Sequence, residues 1–497
     1  MQGFEFLEAV ATRLAIPLEG KGAEEAMGTQ VRLAAPPGPI GGGNRVTAVI
    51  GRNGTGKSHA LAAIVETMIR IENASGPRRR MRGELPLDRL SWRLGDAVVQ
   101  VTSGDGPARI EVNGAPAAGN PVPLPPRLVA LTITPFDKFP VPRTTQGARD
   151  SIYRYLGLRD RTGRASMENL LFRSLIGLFE TSDNEALRRV RISRAFDFLG
   201  LRPRLTVVYR LRVAREVMRA LDVGVSVVSP DVIRDTARLR RVKEAIGRGE
   251  FTEQRLVESL LRARDIVQGE HIRLDASFEG GGTSHAEFDA MLPLRMVGFA
   301  QLRAVEVEHV DGPVTDLKRA SSGQLSMVTA ILALAAVMRD DSLVLIDEPE
   351  LSLHPEWQVR YISLLLETFS SYTGCHFVIA THSPLVVSEL PDNATLISLD
   401  DPDVPPAPEL LGQSADFLLA EAFGLPERNN LHVRDLLVAA LRSAADGQAP
   451  TAAFREQVRH LEKVTSGLPA EDGIRVVVRH LHDTAQAAAG EPIVAAG

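Results

Sequence analysis

One segment of the chain has the residue types of a phosphate-binding loop. It matches the pattern GxxxxGK[ST] in full, and its residues are Gly51, Arg52, Asn53, Gly54, Thr55, Gly56, Lys57 and Ser58. Glycines let the backbone curl so that its N–H groups face phosphate oxygens, and the N-terminus of a following helix adds partial positive charge. Lys57 can place a full charge on the terminal phosphates and take part in catalysis, and the Ser58 hydroxyl can bind Mg²⁺. The loop therefore predicts binding of ATP with Mg²⁺.

Two adjacent carboxylates follow an apolar run later in the chain. The run is Leu343–Ile346, and Asp347 and Glu348 come directly after it. Four apolar residues predict that Asp347 ends a buried strand, where its carboxylate can hold Mg²⁺, and Glu348 can then polarise the attacking water as general base. A core strand that happens to end in surface acids is the alternative, but the complete phosphate-binding loop elsewhere in the chain argues against it.

A third segment could form a second anion site. Ser321, Ser322, Gly323 and Gln324 precede a predicted helix, Leu325–Met338. Ser321 or Ser322 is a good N-cap, so a hydroxyl and backbone N–H groups would face outward. An ordinary N-cap is the alternative interpretation. The position of Ser322, 25 residues before Asp347, argues against an ordinary N-cap.

The order of these segments resembles that of the ABC ATPase superfamily. Ala320–Ser326 resembles its LSGGQ-like signature, with Ser in place of the first Gly, and Pro349–Pro355 occupies the place of the D-loop. His382 lies 35 residues after Asp347 and resembles the switch histidine. The segment Ile346–Pro355 is similar in sequence to the soluble RecF-like and OLD-like (AAA_21-like) branch of that superfamily. The resemblance covers roughly residues 1–150 and 296–400. The resemblance implies Mg²⁺-dependent ATP hydrolysis, catalytic contact of His382 with the γ-phosphate, and a homodimer or higher homo-oligomer in which each signature meets ATP held by the other subunit.

One position departs from the superfamily pattern. The Q-loop should follow the predicted strand Arg127–Ile133, but Thr134–Phe139 contains no Gln. Asp137 or a main-chain group could replace it, or the role is absent.

Three shorter segments are similar to the PtuA-like ATPase subunit of Septu-type antiphage systems, namely Pro135–Phe139, Phe198–Pro203 and Gly412–Gly424. That resemblance implies a separate effector protein, such as a nuclease of the HNH type.

Alternating strand and helix patterns would position these residues. We expect an α/β fold, a P-loop ABC-type ATPase head with a mixed, mainly parallel sheet and flanking helices. Residues 1–149 would form its N-terminal part and residues 296–400 its C-terminal part. Residues 150–295 are predicted to be a mostly helical, basic insertion, and residues 401–497 a helical tail.

The insertion is unusually basic. Residues 188–248 contain sixteen Lys and Arg against six acids, a local balance of +10 in a chain of net charge -5. This asymmetry favours contact with the phosphate backbone of DNA. A solvated surface or a face for a partner protein is the alternative.

Composition limits the cellular setting. The single cysteine, Cys375, can form no internal disulfide, which favours the cytoplasm. Met1–Gly20 lacks the pattern of a signal peptide, and the longest mainly apolar run, Met327–Met338, is too short to cross a bilayer. We therefore expect a cytoplasmic protein without a membrane-bound part.

Other chemistries have weaker support. No Asn-Lys-x-Asp motif indicates guanine binding. His480 and His482 have no Cys or Glu at ligand spacing, so a metal site there is not favoured. The acidic stretch Asp400–Asp403 is better explained as a linker than as part of a nuclease.

Three functions remain open. The leading hypothesis is an ATP-gated, DNA-linked switch that regulates a separate effector in antiphage defence or DNA maintenance. The alternative is the energy subunit of a membrane transporter, although 265 residues separate Lys57 from Ser322 and such subunits are compact there. A third is a clamp that binds ATP but barely hydrolyses it, against which Glu348 argues.

Overall fold

A computed structural model of the 497-residue chain gives the architecture. It describes residues 3–17, 26–34, 43–74, 84–103, 108–117, 121–142, 151–160, 163–178, 185–279, 285–401, 407–410, 412–426 and 429–489. Most of the predicted acidic linker, residues 402–406, lies outside these ranges.

The strands of the described residues fall into three sheets. Their bounds are β1 Phe4–Pro17, β2 Ala26–Ala34, β3 Arg45–Ile50, β4 Arg89–Leu94, β5 Ala97–Thr102, β6 Arg109–Val112, β7 Ala115–Pro116, β8 Leu128–Thr132, β9 Tyr153–Leu156, β10 Leu201–Leu211, β11 His271–Ser277, β12 Ala300–His309, β13 Val314–Asp316, β14 Leu343–Asp347, β15 His376–Ala380 and β16 Thr395–Ser398.

The helices of the described residues lie around and between these sheets. Their bounds are α1 Lys57–Ala74, α2 Met167–Leu178, α3 Glu185–Phe198, α4 Arg215–Val223, α5 Thr236–Gly247, α6 Glu253–Ile266, α7 His285–Val297, α8 Ser322–Val337, α9 Pro355–Val359, α10 Tyr361–Thr368, α11 Pro384–Val387, α12 Ala407–Leu410, α13 Ala415–Glu421, α14 Leu431–Ala445, α15 Ala452–Thr465 and α16 Gly473–Ala489. A short 3₁₀ helix, Leu317–Arg319, precedes α8. None of these helices is long and apolar enough to cross a bilayer.

The central sheet has six strands in the order β16-β3-β15-β14-β8-β9, and every neighbouring pair is parallel. Every residue of β8, β14 and β15 is buried. Continuous apolar runs form such strands because both of their faces are covered. The predicted α/β class is confirmed. The carboxyl ends of β3, β14 and β15 meet at one edge, so the segments that follow them are brought together.

Among the described strands, antiparallel pairs occur in two separate sheets, and the pairs of the central sheet are all parallel. The first has the order β2-β1-β4-β5-β6-β7. Its strand β1 is 14 residues long. It joins the central sheet through the Phe6 N–H, which donates to His376 Nδ1 at 3.0 Å. Burial lowers the pKa of His376 to about 3, so this contact is made by a neutral imidazole.

The second antiparallel sheet corrects the predicted boundaries of the insertion. Its order is β11-β10-β12-β13, so strands on either side of residue 295 belong to one unit. In addition, β9 is part of the central sheet, so the head continues beyond residue 149. The insertion contains helices α2 to α7, but also strands β10 and β11. Their alternating burial, seen in β11 as one exposed and one buried residue in turn, lacks the long apolar run that identifies central strands.

The insertion packs directly against α8. The Ser174 hydroxyl of α2 lies 3.4 Å from the Thr329 carbonyl oxygen of α8. Arg295 of α7 donates to Glu168 of α2 at 2.8 Å, and Lys318, just before α8, lies 3.9 Å from the same carboxylate. The chain thus passes from the insertion sheet through this network into the start of α8.

Candidate functional site

The phosphate-binding loop connects β3 to α1, as its pattern predicts. Lys57 is the first residue of α1, and its ammonium donates to the carbonyl oxygens of Gly51 at 2.6 Å and Arg52 at 3.1 Å. Its Nζ also lies 3.3 Å from His382 Nδ1. The loop therefore surrounds a lysine whose contacts are carbonyl oxygens and a ring nitrogen.

Burial controls the charge of Lys57. It lowers the pKa of the ammonium to about 8, against the opposing effect of Asp400, Glu348, Asp347 and Glu350. A buried cation that is only partly stabilised by its neighbours gains from a nearby anion. The loop is thus electrostatically suited to a phosphate group.

Asp347 fits a Mg²⁺ site on its own geometry. The Ser58 hydroxyl donates to Asp347 Oδ1 at 3.0 Å, while Oδ2 is buried and has no hydrogen-bond partner in the described part of the chain. Burial raises the pKa of Asp347 to about 7. A buried carboxylate with one unsatisfied oxygen beside a serine hydroxyl is a suitable pair of ligands for a hard cation. The two predicted metal residues are therefore adjacent.

Glu348 faces a different partner. Its Oε1 lies 3.5 Å from His382 Nε2, and this contact holds the pKa of Glu348 below its usual range, so it is ionised at neutral pH. The backbone of Glu348 is left-handed, with φ 49°, and its N–H donates to the Ala380 carbonyl at 2.9 Å. Such a conformation costs roughly 1–3 kcal/mol and is frequent at functional sites. Two sequential carboxylates thus contact different groups.

Sheet order explains why three distant residues meet. β15 lies between β3 and β14, so His382, just after β15, lies between the segments that follow the other two strands. It contacts Lys57 through Nδ1 and Glu348 through Nε2. The three predicted catalytic residues, Lys57, His382 and Glu348, therefore form a row of contacting side chains at the carboxyl edge of the sheet.

The signature segment forms a capped helix start. Ser321 is the N-cap of α8, and a capping box links its side chain and backbone to Gln324. Gly323 packs against the D-loop, because a Cβ at this position would lie 2.8 Å from the Ser352 carbonyl oxygen. No hydrogen bond or ion pair between described residues joins Ser321, Ser322, Gly323 or Gln324 to the phosphate-binding loop. No direct polar contact among the described residues therefore links these two halves of the predicted site within one chain.

The suggested role of Asp137 as a Q-loop substitute is not supported. Its side chain is fully buried, and Arg159 donates to both carboxylate oxygens, at 2.7 and 2.9 Å. The Tyr155 hydroxyl and the Phe139 N–H also donate to it. Asp137 therefore joins the loop to β9 and the turn after it, and its oxygens are already satisfied.

Two further acidic residues contact the site, and sequence reasoning missed the contact made by Asp400. Asp400, assigned to a linker, accepts the Arg52 N–H at 2.5 Å. Glu350 accepts the His382 N–H at 2.6 Å, and burial raises the pKa of Glu350. Asp400 comes two residues after β16, which pairs with β3, so recognition of that strand could have identified it.

Part of the chain matches a described protein family. Residues 210–388 match the family described as "AAA domain, putative AbiEii toxin, Type IV TA system". The matched segment contains the signature, Asp347, Glu348 and His382, while the phosphate-binding loop lies outside it. With the sheet order and the site geometry, this match identifies the fold. It is a P-loop ATPase fold of the ABC type.

This ATPase is also similar to a phage protein over a short stretch. It is 33% identical over 122 residues to protein ea59 of Escherichia phage lambda. The match covers 23% of this chain and 22% of the relative, so the chain spans less than a quarter of that protein.

Solved structures of SMC heads align over most of the ATPase. The SMC head domain from Thermotoga maritima is 12% identical, with a TM-score of 0.33, over 79% of this chain and 94% of that chain. The Smc head domain with an extended coiled coil, bound to the C-terminal domain of ScpA and derived from Pyrococcus furiosus, is 14% identical, with a TM-score of 0.29, over 80% and 93%. Scores this low add nothing to the assignment, for which the sheet order and site geometry are the basis.

Proposed function

We propose that this protein hydrolyses ATP with Mg²⁺ and uses the cycle to regulate a separate effector. The observation that carries the first part is the row of Lys57, His382 and Glu348 beside the pair of Ser58 and Asp347. These residues supply a phosphate-binding cation, an ionised base and a cation site at one edge of a sheet.

Each side chain has a separate task in the proposed reaction. Lys57 exchanges its carbonyl contacts for phosphate oxygens and regains full charge. Glu348, ionised because of His382, would accept a proton from the attacking water, and His382, which contacts both Lys57 and Glu348, would contact the γ-phosphate. Ser58 and Asp347 would hold Mg²⁺, which neutralises charge on the phosphate oxygens when bound.

The active form is proposed to be a homodimer. Ser321 and Ser322 are exposed at the start of α8 and make no hydrogen bond to the phosphate-binding loop among the described residues of their own chain. An exposed helix N-terminus is suited to an anion presented by a second molecule. Each ATP would therefore lie between the loop of one subunit and the signature of the other.

Mixing two inactive variants tests this arrangement. Lys57→Ala disables the loop and Ser322→Arg blocks the signature, so each homodimer should lack activity. A mixed dimer retains one intact composite site. Turnover in an equal mixture should therefore recover to at most about a quarter of wild type, since about half of the dimers are mixed and each has one working site.

A no-rescue result is informative only if mixed dimers form. Pull-down of one variant through a tag on the other establishes this. Mixed dimers without activity would contradict the shared site and favour sites completed within one chain.

We also propose that the insertion contacts DNA. The net positive charge of residues 188–248 is, however, smaller in the folded protein than the sequence count indicates. Several arginines are neutralised by acids from outside residues 188–248: Arg191 pairs with Asp340, Arg202 and Arg204 with Glu308, and Arg210 with Glu270. Four arginines, Arg212, Arg238, Arg241 and Arg295, line a cavity of about 220 Å³. Arg295 also pairs with Glu168, and Arg238 lies 4.0 Å from Asp235. Arg212 and Arg241 are therefore the guanidinium groups through which we propose that the cavity binds a phosphate group.

Salt dependence of DNA binding tests that cavity. Wild-type affinity for a short duplex should fall linearly in log K against log salt, with a slope of about -0.9 for each phosphate neutralised. Replacing Arg212 and Arg241 by Ala should reduce the magnitude of the slope by roughly 0.9 for each contact removed. The matched control is Arg240→Ala, because Arg240 already lies 3.8 Å from Glu244 on the same helix. Equal slopes for all three proteins, or no binding, would contradict the proposal.

The effector is proposed to be a separate protein, such as a nuclease of the HNH type, in antiphage defence or DNA maintenance. Among the described residues, the sequence indicates no set of side chains typical of a nuclease active site. Support comes from the segments similar to Septu ATPases, and from the matched family, whose description names a toxin–antitoxin system. Cytoplasmic location stays a prediction. Purification of the tagged chain from its host, with and without ATP, should recover such a partner in a nucleotide-dependent amount.

A further inference from the structure

The helical tail brings three metal-ligating side chains to one point. Glu421 ends α13, His432 lies in the first turn of α14, and His460 lies in α15. The two imidazole Nε2 atoms lie 2.7 and 2.8 Å from the same carboxylate oxygen, Glu421 Oε1. The three potential ligand atoms are all within 4.8 Å of one another. Three helices thus contribute one donor atom each to a common position.

The surroundings of the cluster hold these side chains in place. The Glu421 side chain is only 8% exposed, and the His432 ring packs edge-on against Phe417 at 4.7 Å between centroids. Asn430, the N-cap of α14, donates from its side-chain amide to the Asp416 carbonyl at 2.7 Å, which positions the start of that helix on α13. His460 is the most accessible member, at 42%. The potential ligand side chains are therefore held in place, and the cluster is open to an entering ion on the side of His460.

The apolar contact beneath the cluster is small. Among the described residues, Ala420, Val433 and Val464 form the buried group adjoining it, with Leu436 and Ile474 partly buried against them. A small apolar core gives limited stability, and a bound ion is one of the usual additional links between elements. A link at this point would join α13, α14 and α15.

We propose that Glu421, His432 and His460 bind a divalent transition-metal ion, best matched by Zn²⁺, that ties the tail helices together. Two imidazoles and one carboxylate are a ligand set that Zn²⁺ accepts, with a fourth position left for water. Mg²⁺ and Ca²⁺ prefer oxygen ligands, so the two nitrogens disfavour them. Bonds of 2.0–2.1 Å place tetrahedral ligand atoms about 3.3 Å apart, so small side-chain rotations from the observed contacts would suffice.

Metal content and cobalt spectroscopy of the full chain test the proposal. The protein is stripped with EDTA, dialysed, and titrated with ZnCl₂ or CoCl₂ without nucleotide. We expect about one tightly bound Zn²⁺ per chain, and visible absorption bands typical of four-coordinate Co²⁺. His460→Ala should weaken Zn²⁺ by more than the roughly 10–100-fold of an outer-shell change, and remove the cobalt bands.

The controls separate this cluster from other metal-binding positions. His480→Ala removes an exposed histidine from the same tail and should leave both signals unchanged. Asp347→Asn removes the proposed Mg²⁺ ligand of the ATPase site and should also leave the cobalt bands unchanged. Because His460 is well exposed, its replacement should preserve the fold, which circular dichroism checks. Cobalt bands that persist in His460→Ala, or the absence of Zn²⁺ binding at micromolar concentration, would overturn the proposal.

Discussion

Glu348→Gln should bind ATP but hydrolyse it about 10²–10⁴ times more slowly than wild type, the usual cost of losing a general base. Glutamine keeps the shape of the side chain and can still hydrogen bond to His382, so the left-handed backbone and the row of residues are preserved. Only proton acceptance is lost. Steady-state turnover together with ATP affinity by calorimetry measures the two effects separately. If ATP also drives dimerisation, the variant should stay dimeric in ATP, as size-exclusion chromatography would show.

Glu356→Gln is the matched control for this result. Glu356 is exposed in α9, eight residues farther along the chain, and should change turnover less than twofold. Hydrolysis near the wild-type rate by Glu348→Gln would show that another group is the base. Asp137 is a poor substitute because Arg159 occupies both of its oxygens, so Glu350 would be the next residue to replace.

Lys57→Ala should weaken ATP binding by about 100-fold or more. Each hydrogen bond from a charged group contributes about 1.5–3 kcal/mol, and 1.4 kcal/mol is tenfold in affinity, so loss of one or two phosphate contacts reaches this size. If Lys57 contacts the β-phosphate, the loss of affinity should be similar for ATP and ADP. Calorimetric titration of the purified variant is the measurement.

Arg52→Ala provides the comparison within the same loop. The Arg52 side chain is 56% exposed, while its contact to Asp400 is made mainly through the backbone N–H, which alanine retains. Its ATP affinity should remain within a few-fold of wild type. Equal losses in both variants would mean that loop folding, rather than the Lys57 charge, is what was disturbed.

The central strands were predictable because their signals are local. Leu343–Ile346 matches β14 to within one residue, and Arg127–Ile133 contains β8 with one further residue at each end. Continuous apolar runs between loops identify buried parallel strands without knowledge of their partners. The order of motifs along the chain then sufficed to predict that their following residues meet, as Lys57, His382 and Glu348 do.

Features that depend on distant partners were not predictable from local pattern. β1 is long but carries polar residues, including the buried Glu5, which is held by Arg45 and Arg93. The sequence could not show how much of the insertion's positive charge is neutralised in the folded protein. The acid that neutralises Arg191, for example, is 149 residues away. The Glu421, His432 and His460 cluster is likewise assembled from three helices. In each case tertiary contact overrides a local signal.

The attachment of α8 to the insertion has a thermodynamic consequence. Ser321 follows β13 by five residues, and α2 packs along the same helix. If ATP contacts Ser321 or Ser322 at the start of α8, as proposed, a ligand that binds the insertion and prefers one position of α8 alters ATP affinity, and ATP alters the affinity of that ligand by the same factor. A coupling of about 1.4 kcal/mol makes both changes tenfold. Each ligand can be titrated with and without saturating amounts of the other. The two experiments should give the same factor for the change in affinity.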